Sequence, residues 1–247
     1  MTSNSPIWNV ALYVCLLLGL LFPAKAQPNF ERGPAEPAQY LTLLKDELRK
    51  PWPQNRTINI VFHGHSVPAG YFDTPTVNTL AAYPHQLLHQ LKVRYPNAVI
   101  NVITTAIGGE NSVLGAQRFD GDVLTHKPDV VCIDYALNDA GIGLQKAEQA
   151  WVQMIEQALR QGIKVILLTP TPDQRVDRTQ LDNALQQHAE QVRKLATRYN
   201  VGLVDSDALF TAAVHSGIPL PSLMSHVNHP NQAGHALIAK ALMNWFE

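Results

Sequence analysis

The sequence predicts an α/β domain, a three-layer αβα sandwich built on a five-stranded parallel sheet. Three observations carry that prediction. Five short β-branched runs are apolar at consecutive positions, the pattern of strands covered on both faces. Segments with helical spacing alternate with these runs, as crossover helices do in a parallel sheet. Five such runs in 247 residues are too few for the eight-stranded barrel.

The runs are Ile58–Phe62, Val99–Ile103, Val130–Ile133, Val165–Leu168 and Val201–Val204. A short helix is expected over Tyr40–Lys50, ahead of Pro51 and Pro53. Leu144, Ala147, Trp151, Ile155 and Leu159 share one helical face, and Gly162 stands where that helix should stop. Leu181, Leu185, His188, Val192, Leu195 and Tyr199 define another. The last helix, Gln232–Phe246, carries Leu237, Ile238, Ala241, Leu242 and Trp245, with Asn231 as its N-cap.

Residues 1–26 read as a secretory leader rather than as part of the domain. Val10–Phe22 is an unbroken apolar run, too short for a comfortable bilayer span, and Ala24-Lys25-Ala26 supplies a small-residue cleavage signal. The expectation is a secreted or periplasmic protein that begins at Gln27 and has no membrane span after processing. Residues 27–56 then form an arm with a short helix, and residues 57–247 the domain proper. Cys15 leaves with the leader, so Cys132 has no partner for an intrachain disulfide. Such an exported protein must be held by its core.

Composition narrows the functional classes. The chain is 46% apolar and 16% charged, so it can bury a core and is not disordered. Nineteen basic against twenty acidic residues leave no electrostatic footprint for nucleic acid or an anionic membrane. A small molecule or a polysaccharide is the expected partner. Gly108-Gly109 lacks the three-glycine spacing that cradles a pyrophosphate, and no cofactor is expected. The sequence specifies no oligomeric state.

In open parallel sheets, ligands bind outside the carboxyl ends of the strands. His63-Gly64-His65-Ser66 follows the first strand, Gly108-Gly109-Glu110-Asn111 the second, and Asp134 through Asp139 the third. His226-Val227-Asn228-His229-Pro230-Asn231 precedes the terminal helix. Acyl transfer needs a hydroxyl nucleophile, a base within reach, and donors aimed at a developing oxyanion. Ser66 can serve as nucleophile and His229 as base. The Gly109 N–H is unobstructed by a side chain, and Asn138 offers a neutral amide donor.

These four blocks together resemble the SGNH hydrolases, the superfamily of GDSL esterases and lipases. They read GHS at 64–66, IGGEN at 107–111, ALND at 136–139 and HVNHPN at 226–231. The resemblance spans residues 57–246. It implies a flavodoxin-like sandwich, a Ser66–His229 pair, and an oxyanion hole from the N–H groups of Ser66 and Gly109 with the Asn138 amide. It also implies an acyl esterase, and for exported members a carbohydrate acetylesterase. Tyr71 and Phe72, just after the serine, offer an aromatic shelf for a sugar.

The chain departs from the family pattern at His65 for Asp, Ala136 for Gly, and His226 where an acid should precede the histidine. A backbone carbonyl can hold an imidazole N–H in place of an acid, giving a Ser–His dyad. Alternatively Asp134 or Asp205, at the same sheet edge, can substitute. Two other readings stay open: a zinc hydrolase using His63, His65, His226 and His229, and a saccharide-binding module that keeps the fold without chemistry.

Overall fold

The computed structural model describes Met1, residues 33–177, residue 180 and residues 182–247. Apart from Met1, the expected leader, with Cys15, lies outside the described residues, as does Leu181.

The sheet has five parallel strands in the order β2-β1-β3-β4-β5: β1 Thr57–Gly64, β2 Val99–Thr104, β3 Val130–Asp134, β4 Lys164–Leu168 and β5 Gly202–Val204. All five sequence runs are strands. Successive side chains alternate between two cores. Ile60, Phe62, Val130, Cys132, Ile166 and Leu168 face one, while Val61, Val131, Ile133, Val165 and Leu167 face the other.

Helices α1 (Pro37–Tyr40) and α2 (Thr42–Arg49) precede the sheet, and α3 (Ser66–Ala69) follows β1. The remaining helices are α4 (Tyr83–Arg94), α5 (Ser112–Asp122), α6 (Leu144–Arg160), α7 (Ala184–Tyr199), α8 (Ser206–His215) and α9 (Gln232–Met243). Leu44 and Leu48 of α2, Leu87 and Leu91 of α4, Phe210 of α8, and Ile238 and Leu242 of α9 fill the first core. Phe119 of α5, Trp151 and Ile155 of α6, and Val192 and Leu195 of α7 fill the second. Asn231 caps α9 as expected, its Oδ1 accepting from the N–H groups of Ala233 and Gly234. That helix stops at Met243, short of Phe246, although Trp245 and Phe246 remain buried beyond its end.

Two features tie this frame to its carboxyl edge. The β1 strand lies between β2 and β3, so the chain reverses its winding there and opens the crevice where ligands bind in such sheets. Asp139, completely buried, accepts from the Ser112 N–H at 2.8 Å and from Trp151 Nε1 at 2.7 Å. It joins the start of α5 to α6 behind the loops that follow β2 and β3. Burial pushes its carboxyl pKa up, against the lowering effect of those donors. Replacing it leaves both donors buried and unpaired, at about 1–3 kcal/mol each. Asp139→Ala is therefore expected to lower stability by about 2–5 kcal/mol in urea unfolding; a loss under about 1 kcal/mol contradicts this role.

Candidate active site

Ser66 opens α3 directly beyond β1. The turn needs Gly64 for space, because a Cβ there would meet the Asp134 carbonyl oxygen at 2.4 Å and Pro68 at 2.8 Å. His65 stands at the N-cap, with its Nδ1 accepting from the Val67 N–H at 3.2 Å.

His229 arrives from 163 residues away, and its Nε2 lies 3.0 Å from Ser66 Oγ. The loop before α9 is folded tightly to place it. The His229 carbonyl accepts from the N–H groups of Ser225 and His226, and Met224 pairs with Pro230 in a single antiparallel bridge. On the far side of the ring, Nδ1 lies 3.0 Å from the Phe72 carbonyl oxygen. A carbonyl only accepts, which assigns the proton to Nδ1 and leaves Nε2 to accept from the Ser66 hydroxyl. Burial holds the His229 pKa below the ordinary imidazole value, and His226 and His65 add to this against the Phe72 carbonyl.

Gly109 and Asn138 lie on the loops after β2 and β3, and the Asn138 amide joins those loops at Glu110. Gly109 has φ +78°, and a Cβ there would meet nothing within 4 Å. The left-handed backbone, not crowding by neighbouring protein atoms, is what favours glycine at this position. Asn138 gives one amide hydrogen to the Glu110 carbonyl at 2.9 Å, leaving the other to point elsewhere. Among the described residues, the N–H groups of Ser66 and Gly109 have no acceptor.

A buried polar chain supports this loop. Arg118 Nε donates to both Glu110 carboxylate oxygens at 2.9 and 3.0 Å, and the Tyr135 hydroxyl donates to Glu110 Oε2 at 2.8 Å. His63 continues the chain, with Nε2 3.1 Å from the Tyr135 hydroxyl and Nδ1 2.8 Å from Thr105 Oγ1. Burial, with Arg118 next, brings the His63 pKa down to about 4, so this ring is neutral at pH 7.

Several sequence candidates fall elsewhere. Neither carboxylate offered as a triad substitute bonds to His229. Asp205 caps α8 and is held by Arg193 at 2.7 and 2.9 Å and by Thr169 at 2.9 Å. Asp134 accepts from the Tyr83 hydroxyl at 3.0 Å and lies 3.4 Å from His65 Nε2. The four histidines of the zinc reading do not converge. The first two are the reason: the His63 ring, on β1, packs against Phe119 and Tyr135 in one core, while His65, just beyond that strand, turns toward Ser66 and Asp134. Among the described residues no group of three or more His, Cys, Asp or Glu is arranged to hold a metal ion. His226 sits 5.7 Å from His229, ring to ring, but bonds neither nitrogen to it.

The aromatic shelf also divides. Tyr71 is 37% exposed, and its ring lies 6.1 Å from the His229 ring, where a Cβ on Gly108 would touch it at 2.7 Å. Phe72 instead stacks on buried His235 at 5.5 Å and contributes its carbonyl.

The chain belongs to the GDSL-like lipase/acylhydrolase family, whose sequence profile matches residues 62–237. It is accordingly a carboxylic ester hydrolase of the SGNH type. An acetylxylan esterase from Geobacillus stearothermophilus is 26% identical over 165 residues, covering 62% of this chain and 75% of that one. The crystal structure of Axe2, an acetylxylan esterase from the same organism, superposes with a TM-score of 0.67 at 22% identity over 76% of this chain and 94% of that one. A two-domain esterase active on acetylated mannans gives a TM-score of 0.69 at 22% identity, over 88% of this chain and 55% of that one. Catalytic mutants of Axe2 replace a serine, a histidine, and an aspartate three residues before that histidine.

A base must be neutral to accept a proton, so activity should rise with pH through the His229 pKa. That pKa is lowered from 6.5. The acid limb of kcat/KM is therefore expected to have its midpoint below pH 6.5, with a plateau at neutrality. A midpoint above the ordinary imidazole value contradicts the assignment.

Proposed function

We propose that the chain is an exported serine esterase that removes acetyl groups from carbohydrates, using Ser66 as nucleophile and His229 as general base. The observation that carries this reading is the 3.0 Å approach of Ser66 Oγ to His229 Nε2, with Nδ1 held by the Phe72 carbonyl. In this mechanism His229 takes the hydroxyl proton as Ser66 attacks the ester carbonyl. The oxyanion is met by the N–H groups of Ser66 and Gly109 and by the free amide hydrogen of Asn138. His229 then returns the proton to the leaving alcohol, and the acetyl-serine is hydrolysed by water that His229 activates in the same way.

The Phe72 carbonyl replaces the acid of a triad. Its task is to hold the tautomer; in one well-studied protease, losing the correct tautomer costs about 10⁴ in rate. A neutral carbonyl stabilises the imidazolium less than a carboxylate does, so the dyad keeps orientation and gives up part of the electrostatic assistance. His226 has the same spacing before His229 as the mutated aspartate of Axe2 has before its histidine, and it bonds to neither nitrogen of the His229 ring.

The carbohydrate reading draws on the acetylxylan relative and the mannan-active structural neighbour. Tyr71 supports it as the exposed aromatic face beside the dyad, wide enough to underlie a sugar ring. Hydrolysis of p-nitrophenyl acetate is expected to exceed that of the octanoate, with acetylated xylo- or manno-oligosaccharides also deacetylated. Ser66→Ala should abolish turnover, and Asp205→Asn should keep kcat within about tenfold, since Asp205 touches neither Ser66 nor His229. Retained activity in Ser66→Ala, or faster octanoate hydrolysis, refutes the proposal.

Export rests on the leader over residues 1–26. N-terminal sequencing of protein recovered outside the cytoplasm is expected to begin at Gln27. Recovery of chains that start at Met1 alone would refute cleavage there.

A further inference from the structure

Beside Ser66 lies a chain of buried groups that the dyad does not use. His65 is completely buried, and its Nδ1 is 3.4 Å from Ser66 Oγ. The same nitrogen accepts from the Val67 N–H at 3.2 Å. An amide N–H only donates, so Nδ1 carries no proton, and the proton of the neutral ring sits on Nε2. That nitrogen lies 3.4 Å from Asp134 Oδ1, within ion-pair distance but outside hydrogen-bond geometry, and has no hydrogen-bond partner among the described residues. The second oxygen of Asp134 accepts from the Tyr83 hydroxyl at 3.0 Å. Burial and the Asp134 charge push the Tyr83 phenol well above its ordinary pKa, which keeps it a donor.

We propose that His65 and Asp134 are a buried positioning pair, which holds Ser66 between two imidazoles locked in opposite tautomers. His229 is protonated at Nδ1 by the demand of the Phe72 carbonyl. His65 is protonated at Nε2 because its Nδ1 accepts from the Val67 N–H, and the Asp134 carboxylate 3.4 Å away favours a hydrogen on that side. Ser66 Oγ then has two neighbouring ring nitrogens that both accept, at 3.0 and 3.4 Å. Its single proton goes to the nearer one, which is the base. The opposite tautomer of His65 would set an N–H against the Val67 N–H and aim a donor at Ser66 Oγ. That donor would occupy a lone pair of the attacking oxygen and loosen the first turn of α3. Asp134, only 2% exposed, prevents the flip from a position that never touches substrate.

Capping α3 alone would not need this pair. Asparagine caps a helix N-terminus as well as any residue and requires no carboxylate behind it. This difference supplies the test, which rests on Ser66 and His229 being nucleophile and base.

In the whole protein labelled with ¹⁵N, two-bond ¹H–¹⁵N spectra are expected to show His65 protonated on Nε2 and His229 on Nδ1. Asp134→Asn, which offers an amide that accepts or donates, should mix the two forms of His65. His65→Asn should lower kcat on p-nitrophenyl acetate by about 10- to 100-fold with KM changed less than about threefold, because only the aim of the nucleophile is lost. A wild-type His65 protonated on Nδ1, or a His65→Asn enzyme with wild-type kcat, overturns the pair; the spectrum needs no variant to fold. An inactive Ser66→Ala alongside a fully active His65→Asn refutes this inference alone, whereas an active Ser66→Ala refutes the esterase reading beneath it.

Discussion

The site depends on a single constraint: an imidazole must be presented to a serine hydroxyl by its unprotonated nitrogen. Nothing intrinsic to histidine selects that nitrogen, and the two tautomers are close in energy in water. Here the choice is imposed by a backbone carbonyl, that of Phe72, at 3.0 Å from His229 Nδ1. The carbonyl belongs to the segment that leaves α3, so Ser66 and the group that orients His229 lie six residues apart on one piece of chain. Whatever fixes α3 against the sheet therefore fixes both partners at once. Gly64 permits this by letting the end of β1 press against the Asp134 carbonyl.

Polar groups buried beneath the crevice do the remaining positioning. Glu110 is tied by its carboxylate to Arg118 and Tyr135, while its carbonyl receives the Asn138 amide. The loop carrying Gly109 is thereby joined to the loop carrying Asn138. Tyr135 in turn fills the space above Gly115, where a Cβ would lie 2.4 Å from its hydroxyl oxygen. Such a network is costly to bury unless every member is satisfied. Satisfied, it leaves the loops few alternative arrangements, which an oxyanion site needs if its donors are to be in place before charge develops.

Most of the fold was legible from periodicity, because strands covered on both faces produce unbroken apolar runs. The helices between β1 and β3 were harder to read. In α5 the buried positions include Gly115 and Ala116, which pack by being small and leave no hydrophobic stripe. The approach of Ser66 and His229 was legible because a hydroxyl and an imidazole are side-chain groups that mark themselves in the sequence. Phe72 was legible only in part: its ring suggested a surface for ligand, yet the ring is packed on His235 and the carbonyl faces the site. Any residue supplies a carbonyl, so no residue type marks that role.

Asp134 shows the complementary limit. Its place at a strand end suggested a carboxylate for His229, and the geometry pairs it with His65 instead. Both histidines are within 3.4 Å of Ser66 Oγ, so spacing along the chain gave no means of telling which one the acid would serve. Burial separates them: His229 borders the open crevice beside exposed Tyr71, whereas His65 is enclosed between the sheet end and α3. A base must exchange protons with the leaving alcohol and with water, which only the ring at the crevice can do. The carboxylate thus stands beside the buried imidazole, and the imidazole at the crevice is held by a neutral carbonyl.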